Sequence, residues 1–231
     1  MELQQKLELI YDVDAVLRGQ GADAAILRAR RPSLVKIADE ALRMSLSLLH
    51  PKVIYQIFET EGVQHERLLL HDGLKIESKL VTHHLVAADQ VVVILATIGD
   101  ELEECVSKIW EDNMVFALAL DGAGSAAVEA LANAACQYFE NQATDEGLQA
   151  SIPLSPGMVD WSVAEGQPQI FQLLGESSHA VHLTPSYIMV PKKSLTMVMG
   201  IGAELKSSGR TCDFCTMRET CRYQDHYLEN K

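Results

Sequence analysis

The chain has 231 residues, 48% of them apolar and 6% aromatic, enough for one large core or one core with a small appendage. Thirty-two acidic residues against 19 basic ones leave a net charge of −13, which repels phosphate backbones and argues against nucleic acid as a partner. No apolar run reaches bilayer-spanning length, the N-terminus lacks a basic-then-apolar signal, and five cysteines, an odd number with three crowded near the end, do not read as a secreted disulfide framework, so the cytoplasm is the default.

In chain order, Leu3, Leu7, Ile10, Val13 and Leu17 recur at helical spacing and predict a helix over 3–18, stopped at Gly19-Gln20-Gly21. A basic stretch follows through Arg28, Arg30 and Arg31, and Pro32 suits the first turn of a helix running to Leu49. Val53 to Glu59 reads as a strand, and Arg67–Leu70 with Leu74–Ile76 reads as a hairpin around His71-Asp72-Gly73. Ser78 to Leu85 is a short helix. Its adjacent His83 and His84 point about 100° apart, a poor arrangement for sharing a metal.

Val91 to Ile98 is apolar without alternation, the pattern of a strand buried on both faces. Asp100 to Trp110 reads as a helix with acidic residues at its positive end. The next helix, Phe116 to Gln137, is kept thin by Gly122, Ala123, Gly124, Ala126, Ala127 and Ala130, so a neighbour or ligand can approach it closely. Asp121, Ser125, Glu129, Asn133 and Gln137 form one polar stripe along it, which in the plainest reading faces water. Residues 141–150 read as loop. Gln167 to Leu174 is a short helix, and His182–Val190 and Ser194–Ile201 are two strands joined at Pro191-Lys192-Lys193. The whole is an α+β pattern: a mostly antiparallel, bent sheet built from hairpins, with helices on one side.

Between these elements lies Ser151-Ile152-Pro153-Leu154-Ser155-Pro156-Gly157-Met158-Val159-Asp160-Trp161. Two prolines fix φ and Gly157 permits φ > 0, so the stretch is too stiff for a linker and too broken for a helix. It suits a shaped loop offering the backbone of Leu154 to Met158 to a ligand, or more simply a tight turn entering the next helix.

The order Ser-Pro-Gly, a short helix ending Phe171-Gln172-Leu173-Leu174, Leu183-Thr184-Pro185-Ser186 and Met189-Val190-Pro191-Lys192-Lys193-Ser194 resembles the activation (reactivation) domain of vitamin B12-dependent methionine synthase, and more closely its stand-alone bacterial relatives. The resemblance covers about residues 90–202. It implies a domain with 1–90 as a helical and hairpin part, 91–205 as the core and 206–231 as a cysteine-rich tail. It also implies binding of S-adenosylmethionine, and action in trans on a corrinoid protein or cobalamin-dependent methyltransferase, the cobalamin residing on that partner. Whether the chain is itself an enzyme is left open, and no catalytic nucleophile–base set stands out. The family's glutamate on the small-residue helix falls on Glu129, with Asp121 and Ser125 on the same stripe, and its Arg-x-x-x-Gly-Tyr motif falls on the loop. There the glycine is Gly157, the arginine position holds Pro153 and the tyrosine position holds Met158. Loss of a buried bidentate arginine contact costs about 2–5 kcal/mol. Met158 is left to pack on an adenine ring.

The tail adds Cys212-x2-Cys215-x5-Cys221, with His226 four residues on. Four such ligands suit zinc; three thiolates with Cys105, Cys136 or an external fourth ligand suit an iron–sulfur cluster; reduced surface cysteines or one disulfide remain the plainer reading. The alternative function is therefore a metal-bearing, iron–sulfur or zinc, electron-transfer or docking module of a corrinoid system that no longer binds S-adenosylmethionine.

Overall fold

The computed structural model describes residues 1–5, 7–205, 209–219 and 221, so His226 lies outside the described residues. Its strands are Lys52–Gln64 (β1), Arg67–Leu70 (β2), Lys75–Glu77 (β3), Gln90–Thr97 (β4), Gln149–Ala150 (β5), His182–Leu183 (β6), Met189–Val190 (β7) and Ser194–Gly202 (β8). Its helices are Val13–Gly19 (α1), Ala24–Arg30 (α2), Pro32–Ser45 (α3), Lys79–Leu85 (α4), Glu101–Ile109 (α5), Met114–Asp145 (α6) and Val163–Leu174 (α7). Six strands form one sheet in the order β3-β2-β1-β4-β8-β5, while β6 and β7 make a separate hairpin. Every ladder is antiparallel, as the hairpin pattern predicts.

Strand β4 is central because all of it is apolar. Val91, Val93 and Leu95 face one core with Leu68, Leu154, Trp161, Ile170 and Val198. Val92, Ile94 and Ala96 face a second core with Ala127, Leu131, Ala135 and Phe139 of α6 and Met197 and Met199 of β8. Period-two side-chain alternation thus sorts the molecule into two layers, each fully buried aliphatic side chain contributing about 1.5–3 kcal/mol. Helix α6 packs on the second face, with α1, α3 and α5 against it, whereas α4 and α7 cover the first. The expectation of helices on one side is corrected accordingly: a strand apolar on both faces needs both covered.

Other expectations shift as well. The helix anticipated over 3–18 begins only at Val13, capped by Asp12, whose carboxylate accepts from Ala15 N at 2.8 Å. Residues 1–3 instead run along β1, with Glu2 bridged to Ile54 and Leu3 N donating to Val53 O. Helix α6 reaches Asp145 rather than Gln137, because Phe139 and Ala143 keep an apolar contact with the core while Asn141 and Gln142 face solvent. At 32 residues it is long and apolar enough to cross a membrane, contrary to the composition reading; 61% of its most apolar window is buried inside the protein, as befits a core helix. Its small residues serve close packing. A side chain on Gly122 would stand 2.7 Å from Val16 O, and one on Gly19 would run into the Gly122 carbonyl, so α1 lies against the α6 backbone.

Candidate functional site

Helix α6 carries the polar stripe, and its members meet different fates. Lys193, from the turn before β8, lays its stem over Gly124, where an added Cβ would stand 3.3 Å from Lys193 Cε. Its ammonium lies 2.9 Å from Asp121 Oδ1 and donates to Ser125 Oγ at 2.9 Å, while Lys193 N donates to Glu103 Oε1 at 2.8 Å. Asp121 and Ser125 are thereby occupied by the protein itself. Asp121 and Lys193 border a cavity of about 540 Å³ with Asp100, Glu103, Glu104 and Lys192 on its walls. Asn133 and Gln137 are exposed.

Glu129 differs from its neighbours on the stripe. Among the described residues its carboxylate has no hydrogen-bond or ion-pair partner, and although the residue as a whole is only half-buried, desolvation of the carboxylate raises its pKa above the ordinary carboxyl value. Two turns on, the Cys136 thiol is pushed up to about 12, by burial first and then by the Glu129 and Glu140 carboxylates. Cys136 Sγ also contacts Met197 Sδ at 3.3 Å, which places this part of α6 against β8. An unpaired carboxylate in a low-dielectric setting favours a cation that comes to it.

The Ser-Pro-Gly loop starts at the outer edge of β8, where Leu154 N donates to Val198 O at 2.9 Å and Val198 N to Leu154 O at 2.8 Å. Chain turning follows from Gly157 at φ +100°, a conformation that disfavours any side chain, and from Asp160 at φ +60°. Gly157 N donates to Trp161 O at 2.7 Å and Met158 N to Ser155 O at 3.2 Å, while Ser155 N meets Met158 Sδ at 3.4 Å. Each backbone N–H from Leu154 to Met158 is therefore engaged within the protein, Pro156 having none. Leu154 and Met158 are buried, with Met158 in the first core and only 8% exposed, so it is not placed to cover an adenine ring. Ser155, Pro156 and Gly157 are half-buried. Beneath the loop Trp161 is 1% exposed, with its indole N–H lacking an acceptor among the described residues. Gly166 of α7 fits against Pro156 and the Trp161 ring, where a Cβ would come within 2.8 Å of both.

The expected confrontation of helix and loop across a cleft takes another form. Helix α6, which carries Glu129, packs on the second face of the sheet, whereas Leu154 and Met158 of the loop sit in the first core, so the sheet lies between them. On the outer edge of β8, β5 pairs at Ile201 and Gly202 and Leu154 bridges to Val198; among the described residues no strand pairs with 194–197 there.

The tail sits on the loop, a contact no sequence spacing announced. Val159 N donates to Phe214 O at 2.9 Å, Thr216 Oγ1 donates to Gly157 O at 2.9 Å, and Met158 and Cys215 form a β-bridge. Phe214 packs on the first core, its ring 4.5 Å from that of His84 in an edge-to-face arrangement. The His84 imidazole is held below its usual range by burial and by His83. Cys212 and Cys215 share one turn, closed by Cys215 N to Cys212 O at 3.3 Å, and neither is in a disulfide. Among the described residues no three His, Cys, Asp or Glu side chains gather as a metal group. Cys105 and Cys136 belong to the second core and the docked tail to the first, so the sheet separates them and neither supplies a fourth ligand to the tail.

No protein-family model matches the chain, and no curated protein matches it. Among solved structures it is similar to the crystal structure of the MetH reactivation domain bound to AdoHcy, with a TM-score of 0.60 and 16% identity over 87% of this chain and 73% of that one. The chain therefore has the fold of that domain: an antiparallel curled sheet with helices packed on it.

Proposed function

We propose that the protein binds S-adenosylmethionine or a close relative and acts in trans as a reactivation-type protein on a corrinoid protein or cobalamin-dependent methyltransferase in the cytoplasm. The observation that carries this reading is Glu129: a carboxylate with no partner among the described residues, its pKa raised by burial, on the small-residue helix of a fold shared with a domain crystallised with AdoHcy. The ligand's ammonium or sulfonium is the missing counter-charge for this carboxylate. Methyl and electron transfer belong to the ligand and to the cobalt on the partner; this chain's residues bind and orient.

Titration calorimetry with S-adenosylmethionine and S-adenosylhomocysteine tests the reading. Binding by the parent and a loss of about 10–100-fold in Glu129→Gln is the expected pair of results, the size of a charge-assisted contact. Absence of heat at millimolar ligand removes the claim.

The second reading, a metal-bearing iron–sulfur or zinc electron-transfer or docking module without S-adenosylmethionine binding, has its own support in the engaged N–H groups of the loop and in Pro153 and Met158. Cys212, Cys215, Cys221 and His226 are its proposed ligands. Anaerobically purified protein with a violet–blue absorption band or stoichiometric zinc, together with thermally silent titrations, favours this module.

A further inference from the structure

Three separate contacts tie residues 214–216 to residues 157–159: the Phe214 carbonyl to Val159, the Cys215 bridge to Met158, and the Thr216 hydroxyl to Gly157. All three come from the turn that opens with Cys212, or from the residue just after it. The tail is also fastened by Phe214 on the first core and against His84, and Asp213 pairs with Arg210 and Arg218 within the tail itself. Anything that fixes the Cys212–Cys215 turn therefore fixes the tail's grip on the loop.

The turn is already shaped for such closure. An i to i+3 hydrogen bond brings the two Cα atoms within about 7 Å, the range in which a disulfide forms without backbone movement. We infer that Cys212 and Cys215 are a thiol clasp, whose closure to a disulfide tightens the tail's hold on Gly157–Val159 and whose reduction loosens it. The step is thiol–disulfide exchange with a low-molecular-weight or protein disulfide as oxidant. One cysteine thiolate attacks that disulfide and expels one thiol; the second cysteine attacks the mixed disulfide and expels the other. Two cysteine thiols lose two protons and two electrons, and the incoming disulfide is reduced to two thiols.

Cross-linking a four-residue loop removes conformations available mainly to the undocked tail, which favours docking by on the order of tenfold. The clasp so tunes access to the Ser-Pro-Gly loop, the element whose sequence suits ligand binding. That consequence rests on the functional reading; the clasp itself does not.

Full-length protein kept in dithiothreitol and protein treated with glutathione disulfide are compared by peptide mass mapping and by hydrogen–deuterium exchange without S-adenosylmethionine. The expected result is a Cys212–Cys215 link and slower exchange at the Val159 amide, on the order of tenfold, in the oxidised sample. Cys212→Ser/Cys215→Ser shows the reduced rate under both conditions, and Thr216→Val speeds Val159 exchange in both while keeping the ratio between them. A link to another cysteine, an unchanged Val159 rate despite the Cys212–Cys215 link, or thiols shielded by a stoichiometric metal would each overturn the inference. Silent S-adenosylmethionine titrations would leave it standing.

Discussion

Lys193 stretches over Gly124 to reach Asp121, its ammonium 2.9 Å from the carboxylate and its side chain only 14% exposed. A strand-leading turn is in this way pinned to a helix by a cation lying along a gap that only glycine leaves.

Replacing Lys193 with Met keeps the stem over Gly124 and removes the charge. Asp121 is 42% exposed, so solvent screens the pair and the expected loss is about 1 kcal/mol or less. Asp121 is then left on a cavity wall with Asp100, Glu103 and Glu104. The loss measured by urea unfolding therefore shrinks in high salt. A loss that salt leaves unchanged would point to packing.

Gly122→Ala puts a methyl group 2.7 Å from Val16 O and from Gln20 Cγ. Backbone must move, since the first of these is a carbonyl of the neighbouring helix. Overpacking of this kind costs about 1–3 kcal/mol, and at this chain length each kcal/mol lowers the thermal midpoint by about 2–4 °C. An unchanged midpoint would mean that α1 is not seated on α6.

Glu129 gives stability a pH dependence of defined sign. Its folded pKa lies above the ordinary value of 4.5, so the folded state holds this proton more tightly than the unfolded chain does. Stability contributed by the neutral form is present at low pH and is lost as pH rises from the unfolded pKa through the folded one. Glu129→Gln is accordingly more stable than the parent at pH 8, with the difference vanishing below about pH 4. Thermal melts across that range check it, and a variant less stable than the parent at pH 8 would mean that Glu129 is already paired.

The Cys136 thiol, at about 12, is almost wholly protonated at neutral pH. Iodoacetamide at pH 8 should leave it unmodified under conditions that label an ordinary cysteine, which is about one-quarter thiolate there. Because the Glu129 carboxylate contributes to the shift, Glu129→Gln quickens the labelling. Peptide mass spectrometry reads both.

Much of the sheet is legible in the chain. The unbroken apolar run at Val91 and the Arg67–Leu70 hairpin strand mark themselves, and Pro32 marks the start of α3. Local period fails where a tertiary contact decides. Leu3 and Leu7 have helical spacing, yet the free edge of β1 draws residues 1–3 into extended pairing. His182 to Val190 reads as one strand, yet Thr184 Oγ1 and the backbone between Thr184 and Ile188 fold it into the β6–β7 hairpin. Of the candidate site, Glu129 and the shape of the Ser-Pro-Gly bend follow from residue type. The occupation of Asp121 and Ser125 by Lys193 does not, because it joins residues about seventy positions apart. Nor does the tail's seat on Gly157, which depends on Phe214 finding the first core.

The two tryptophans stand in opposite surroundings: Trp110 is 43% exposed after α5, whereas Trp161 is almost wholly enclosed beneath the bend that the tail covers. The molecule thus carries its own optical probe. Lifting the bend shifts the emission of one indole to the red while the other stays constant as an internal reference, so motion at this site is visible in unlabelled protein.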